Sequence, residues 1–251
     1  MTGGTDFGDV ATRVLSERKA WTAWLAILAV FVGLAVLPVS NTLTRAGSVV
    51  ALLAGWGLRT AMLWRHRWIR ATLLTIPALC VAFLILPSRT HESADLLRHD
   101  FIAGLRHYEG VRYFWGGESF TGIDCSGLVR RGLIDSLFMR GIRTLDAGSV
   151  RHAIWLWWHD CSARDLGEGR NDLTIPVLET PSINDLDHSR LTPGDLAVTK
   201  GGEHVMAYVG DNVWIEADPL AHRVIIVRAP SRSNAWFHGP MRIVRWRILS
   251  Q

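Results

Sequence analysis

Tyr113-Phe-Trp-Gly-Gly-Glu-Ser-Phe-Thr-Gly-Ile-Asp-Cys-Ser-Gly-Leu-Val129 is the stretch on which the reading of this chain turns. Its first half is rich in glycine and reads as turns. Its second half opens a helix. Leu128, Val129, Leu133, Leu137 and Phe138 recur at helical spacing, Asp124 suits an N-cap, and Gly141 is placed to end the helix. Cys125 then falls in the first turn, where unpaired backbone N–H groups and the positive end of the helix dipole favour an anion. A thiolate is such an anion, and the thiolate is the attacking form of cysteine. A lone cysteine is more often a small buried hydrophobe. One set between Asp and Ser, after a glycine-rich loop, fits that role poorly.

Working outward, composition divides the chain. Its 251 residues suffice for one good-sized domain and a smaller part. Before residue 89 there are 8 Lys/Arg and 3 Asp/Glu; from 89 onward there are 19 and 20. The basic balance thus belongs to the apolar N-terminal part, and a basic nucleic-acid-binding patch on the remainder is not supported. The cysteines, Cys80, Cys125 and Cys161, are odd in number and lack the spacing of a disulfide framework or a zinc site.

Residues 1–88 read as a membrane anchor. Apolar runs span about Trp21 to Val39, Ala46 to Trp64 and Trp68 to Leu86. About 20 apolar residues cross a bilayer. The second run is the weakest, because Arg59 lies inside it, near one end where a long side chain can snorkel. The expectation is about three transmembrane helices, with two as the alternative. Arg13, Arg18 and Lys19 precede the first run, and Arg65, Arg67 and Arg70 surround the second connection, whereas the first connection holds only Arg45. With three spans the positive-inside rule puts both basic sides in the cytoplasm and everything after Leu86 outside. Trp21, Trp24, Trp64 and Trp68 then share one interface. With two spans the C-terminal domain returns to the cytoplasm.

Pro87 to His91 reads as a linker, and residues 89–251 as the soluble domain, starting near Glu92. A helix is expected over Ser93 to Arg106, since Leu96, Leu97, Phe101 and Leu105 share a face. Residues 142–192 resist reading: Val150 to Trp158 suits a buried helix or an aromatic wall, with core packing the commoner fate of close tryptophans, and Asp165 to Asn171 reads as a loop. Beyond Leu191-Thr-Pro-Gly-Asp195, short strands over 196–199, 204–209, 213–218, 224–228 and 242–249 are separated by turn signals, which suggests an antiparallel meander. Helices first and sheet second make an α+β domain.

A cysteine nucleophile needs a base, and the base an orienting group. His204 opens a strand after Gly201-Gly202 and shares a face with Met206 and Tyr208; the next strand carries Trp214, Glu216 and Asp218 on one face. A three-residue loop, Gly210 to Asn212, would pair 208 with 214 and 206 with 216. Glu216 is then diagonal to His204, and Asp218 directly opposite. A two-residue loop would turn both acids away.

These motifs resemble the NlpC-type cell-wall peptidases. The likeness is carried by Tyr113-Phe-Trp-Gly-Gly, Gly122-Ile-Asp-Cys-Ser-Gly-Leu-Val129, Pro193-Gly-Asp-Leu196, His204-Val-Met-Ala-Tyr-Val-Gly210 and Trp214-Ile-Glu-Ala217, in the family's order over roughly residues 93–249. The resemblance implies a papain-like α+β fold with N-terminal helices packed on an antiparallel sheet. It implies Cys125 as nucleophile, His204 as general base and Glu216 at the orienting position, where the family usually has His, Asn or Gln. Tyr113 matches a tyrosine beside the nucleophile, and Asp124 and Ser126 match positions that in some members touch the substrate's amino end. The expected activity is hydrolysis of peptide bonds in peptidoglycan stem peptides by a membrane-embedded enzyme facing the periplasm or cell exterior, with no metal or organic cofactor. A lipid or acyl-chain hydrolase or transferase on a related fold, and a catalytically silent wall-binding module, are the alternatives.

Overall fold

A computed structural model of the chain describes residues 7–88 and 94–250. The end of the expected linker and the expected domain start near Glu92 lie outside the described residues. Contacts divide the chain into two compact units, one ending at Phe83 and the other comprising Pro38–Thr42 and Leu84–Gln251.

The first unit is helical: α1 (Phe7–Val36), α2 (Thr42–Met62) and α3 (Arg67–Ile85). Two stretches, Glu17–Val36 and Arg67–Ile85, are long and apolar enough to cross a membrane, and neither is buried within the protein. By this measure the expected three spans become two. The second apolar run does form a helix, but α2 is diluted by Arg45, Arg59, Ser48, Thr60 and the glycines Gly47, Gly55 and Gly57. Two of its hydroxyl groups are satisfied within the helix. Ser48 and Thr60 donate to the carbonyls of Thr44 and Trp56, each at 2.8 Å. The Arg59 guanidinium lies 4.6 Å from the Trp21 ring centre and 5.3 Å from that of Trp24, a cation–π arrangement.

The second unit is α+β, as expected. It runs α4 (Ala94–Arg106), a hairpin of β1 (Glu118–Ser119) and β2 (Gly122–Ile123), then α5 (Cys125–Thr144), α6 (Ala147–Trp158) and α7 (Ala163–Gly167). A six-stranded sheet follows, built from β3 (Thr174–Thr180), β4 (Leu196–Thr199), β5 (Val205–Gly210), β6 (Val213–Asp218), β7 (Arg223–Arg228) and β8 (Met241–Trp246). The order is β3-β8-β4-β5-β6-β7, every neighbouring pair antiparallel. Strand alternation sends Val205, Ala207, Ile215 and Ala217 into the core shared with α4 and α5. It sends Met206, Tyr208 and Trp214 into a second core with Phe237 and Ile243. Two opposed apolar faces of this kind fix strand register, because a one-residue slip would exchange them.

Three expectations change. The helix after Cys125 does not stop at Gly141; it continues to Thr144, and Leu145, at φ 54°, takes the left-handed cap. Gly141 serves close approach instead: a Cβ there would lie 2.6 Å from Val150 Cγ2. Residues 142–192 form α6, α7 and the edge strand β3, and part of the stretch expected to be a loop, 165–171, is helical. The tryptophans of α6 divide: Trp157 packs against the core, whereas Trp155 and Trp158 are exposed and Trp155 stacks on His159.

Candidate active site

The cysteine is positioned by its cap and by two glycines. Asp124 takes an extended conformation and its carboxylate accepts the Gly127 N–H at 2.6 Å, the N-cap bond that starts a helix. The Gly116 N–H reaches the other oxygen at 2.8 Å and the Ser126 hydroxyl donates at 3.0 Å. The turn leading into β1 and the start of α5 are thus clasped through one side chain. They also touch directly: a Cβ on Gly127 would lie 2.1 Å from the Gly117 carbonyl oxygen, so no side chain fits there. Cys125 consequently sits in the first turn of α5, buried but lining a cleft of about 400 Å³ together with Tyr113, Trp115, Asp124 and Ser126.

The histidine comes from the sheet. His204 stands one residue before β5 and is 2% exposed; Glu216, in β6, is fully buried. Their side chains meet at 2.5 Å, Nε2 to Oε2, and His204 lies close enough to Cys125 for the thiol to favour charge on the ring. Because Nε2 is committed to the glutamate, Nδ1 is the nitrogen left for sulfur. Burial opposes charge on this imidazole, but the neighbouring Cys125 and Glu216 outweigh it and lift its pKa to about 9. The ring therefore holds its proton through neutral pH.

The register that aligns these groups arises by an unexpected route. Tyr208 does pair with Trp214 and Ala207 with Ile215. The turn, however, is the two-residue Asp211-Asn212, both in the left-handed region at φ 53° and 59°, which suits a tight hairpin turn. A bulge between Tyr208 and Gly210 supplies the missing residue. Without it, the acids would face the other side of the sheet. Of the two acids left open by the sequence, Glu216 takes the histidine. Asp218 instead accepts the Leu220 N–H at 2.8 Å.

Two partners escaped the sequence reading. Asn234 donates from Nδ2 to Glu216 Oε1 at 2.5 Å, and its own Oδ1 accepts the Trp236 N–H at 2.9 Å. Trp236 lies flat on the His204 ring, centroids 4.2 Å apart and planes 14° from parallel. A single turn after β7 therefore steadies both acid and imidazole. Its only sequence signal is an Asn two residues before an aromatic, which is weak.

Tyr113 lines the same cleft as Cys125. Burial first, then the negative potential of Cys125, Asp124 and Asp218, pushes its pKa up to about 12, so its hydroxyl stays a donor. Burial also raises the pKa of Asp124, against the bonds that favour its charge. Asp160, Cys161 and Ser162 complete the lining, so the segment that resisted reading forms part of the cleft wall. Among the described residues, no group of three or more His, Cys, Asp or Glu side chains is placed to share a metal ion.

Residues 110–242 match the family model described as NlpC/P60 family. Similar solved structures include the peptidoglycan hydrolase RipB from Mycobacterium tuberculosis, 23% identical over 62% of this chain and 66% of that one, with a TM-score of 0.38. The P60 domain of an antigen from M. avium subspecies paratuberculosis is 22% identical over 62% of this chain and 97% of its own, with a TM-score of 0.38. An N-acetylmuramoyl-L-alanine amidase from Bacteroides uniformis is 14% identical over 60% and 98%, with a TM-score of 0.40. A search of curated protein sequences finds no match.

Proposed function

The chain belongs to the NlpC/P60 family, whose members are cysteine peptidases and peptidoglycan hydrolases, and from that premise we propose that it is a membrane-anchored enzyme that hydrolyses peptide bonds in peptidoglycan stem peptides through Cys125, His204 and Glu216. The observation that carries this reading is the buried hydrogen-bonded set of His204, Glu216 and Asn234 beside Cys125, whose thiol helps to raise the imidazole pKa. The Cys125 sulfur attacks the scissile carbonyl carbon, and the oxyanion is received at the Cys125 N–H in the first turn of α5. The His204 proton passes to the departing amine as the C–N bond breaks, leaving an acyl thioester. Water then gives a proton to His204, attacks the thioester and releases the acid, which restores the thiolate and the imidazolium. Glu216 favours the protonated ring at both stages. Residues 1–88 serve as the anchor and 89–251 as the hydrolase.

Asp124 and Ser126 are assigned to the substrate's amino end. A carboxylate has about four lone-pair positions, and bonds from Gly127, Ser126 and Gly116 fill three of those on Asp124. One remains on Oδ2, and the Ser126 oxygen, which donates its hydrogen to Asp124, can accept as well. An ammonium group can therefore bridge the two.

The catalytic unit is assigned to the outer side of the membrane, with α2 as a third crossing. In support, Pro38–Thr42, the chain between α1 and α2, belongs to the same compact unit as the site. An even number of crossings must then separate it from residue 86, which α2 and α3 together supply. At 21 residues, α2 is about 31 Å long, near the thickness of the hydrocarbon core.

The test is mass analysis of fragments released from purified peptidoglycan by the full chain in detergent. Stem-peptide cleavage that disappears in Cys125→Ala is expected. Asp124→Asn should raise KM for stem peptides with a free amino end and leave blocked ones nearly unchanged. Cleavage of an ester or lipid amide, and of no stem peptide, would transfer the assignment to acyl chemistry.

A further inference from the structure

The hairpin beside the nucleophile has an occupied edge. β1 pairs with β2 on one side. On the other, Val39 sits opposite Gly117 in an antiparallel bridge. The Ser40 N–H donates to the Gly116 carbonyl at 3.0 Å, and the Glu118 N–H to the Pro38 carbonyl at 3.1 Å. Pro38 also packs against the hairpin, since a Cβ on Gly122 would lie 3.0 Å from the Pro38 Cβ. Ser40 lines the same cleft as Cys125, Asp124 and Ser126. It lies on the Asp124 side: Gly116 accepts from Ser40 through its carbonyl and donates to Asp124 through its N–H.

A free strand edge is a template on which an extended peptide can add itself as a further strand. Beside Cys125 that template is taken by the chain's own segment. The segment is also short. Only Leu37–Asn41 join α1 to α2, so its two ends are held close and little entropy is lost in ordering it.

We propose that Pro38–Asn41 is a specificity-determining wall that ends the cleft on the Asp124 side and selects peptides whose scissile bond lies within a few residues of a free amino end. This deepens the reading above and rests on it for the identity of the peptide. A long peptide, or one still attached to glycan at its amino end, would need the space and the hydrogen-bonding edge that this segment fills. A short peptide with a free ammonium group ends at Asp124 and needs neither.

The test uses the full chain in detergent and two variants. One replaces Val39-Ser40-Asn41 with a nine-residue Gly/Ser segment; the other is Ser40→Pro, which keeps the length but removes the N–H that bonds Gly116. The first measurement is the ratio of kcat/KM for a stem peptide with a free amino end to that for its N-acetylated form. The Gly/Ser variant should lower this ratio by about tenfold or more, chiefly by gaining activity on the blocked peptide, with Ser40→Pro shifting it the same way by less. An unchanged ratio in both variants, or equal slowing of both peptides, overturns the proposal. The second measurement does not depend on turnover: the rate at which Cys125 is alkylated by iodoacetamide and by an N-acetylated peptidyl chloromethyl ketone. The Gly/Ser variant should accelerate the peptidyl reagent by about tenfold relative to iodoacetamide. If the unmutated chain cuts no stem peptide but the alkylation ratio still responds to the segment, the wall stands and the substrate assignment falls. If the alkylation ratio does not respond, the wall falls.

Discussion

Two buried ion pairs touch α5, and each also holds a thiol. His204 and Glu216 meet at 2.5 Å beside Cys125. Arg130 and Glu118 meet at 3.0 Å, and Arg130 bonds the Cys161 sulfur at 3.3 Å. All four charged side chains are almost wholly removed from solvent, which costs several kcal/mol per ion. What separates the pairs is the proton. A guanidinium keeps its own at every accessible pH, so Arg130 can only hold: it also donates to the carbonyls of Leu156 and His159 and so ties α5 to the end of α6. An imidazole can give its proton up, so the His204 pair can take part in chemistry. The thiols differ in the same sense. Burial raises the Cys161 pKa further than Arg130 lowers it; a neighbouring cation alone does not make a nucleophile.

The largest expected effect tests that last point. Cys125→Ala should reduce stem-peptide hydrolysis to background, whereas Cys161→Ala should retain activity within about threefold, well short of the loss expected for a nucleophile. Steady-state rates on one substrate decide it; loss of activity in both variants with folding intact would erase the distinction between the two thiols.

Next comes Glu216→Gln. The neutral amide no longer favours the imidazolium, and kcat/KM should fall by about 10² to 10⁴-fold. The alkaline limb of the pH profile should move down from about 9. Stability should respond in the same direction. A histidine whose pKa is raised on folding lends stability that is fully present below its unfolded value and is lost as pH rises through about 9. The difference in Tm between the unmutated chain and Glu216→Gln should therefore shrink over that interval.

Arg130→Met addresses the other pair and should act on stability. Removing the guanidinium from the buried Glu118 carboxylate should cost up to about 3–5 kcal/mol, read by chemical denaturation, while the folded fraction keeps its alkaline limb. Adding Glu118→Met should recover part of the loss. The remainder belongs to the Leu156 and His159 carbonyls, which lose their donor. A pH profile displaced by Arg130→Met would show that this pair also tunes the site.

The smallest effect is expected from Asn234→Ala, which leaves one oxygen of a buried carboxylate without its donor. That costs about 1–3 kcal/mol. It should also move the alkaline limb slightly upward, because a carboxylate with fewer donors is a stronger partner for the imidazolium. A variant with lowered Tm but an unmoved profile would make Asn234 purely architectural.

Much of this was legible in the chain because the signals are local. The cap at Asp124, the glycines before it and the alternation in β5 and β6 each need only a few neighbouring residues. The pairing of Tyr208 with Trp214 was reached through a different turn, since a bulge leaves no mark on hydrophobic alternation, and the choice between Glu216 and Asp218 stayed open because alternation puts both on one face. Asn234 and Trp236 were missed because they come from a turn whose position is set by side-chain hydrogen bonds, with no periodicity to reveal it. The segment 142–192 was opaque for a related reason. Its elements are short, and two of the three tryptophans of α6, Trp155 and Trp158, lie at the surface, where apolar residues mislead a reading based on burial. The weakness of α2 as a span was visible in Arg59 and the glycines, but the pairing of Val39 with Gly117 was not, because a strand contributed from so far upstream has no local signature.

The bulge between Tyr208 and Gly210 makes the site sensitive to parity. The path from His204 to Glu216 tolerates changes of residue type more readily than a change of count by one. A single deletion there would leave every catalytic side chain in the sequence and turn Glu216 away from the imidazole. In any transfer of this hairpin to another scaffold, residues 204–216 form an indivisible unit of odd length, and a comparison of relatives by residue identity alone would overlook the loss.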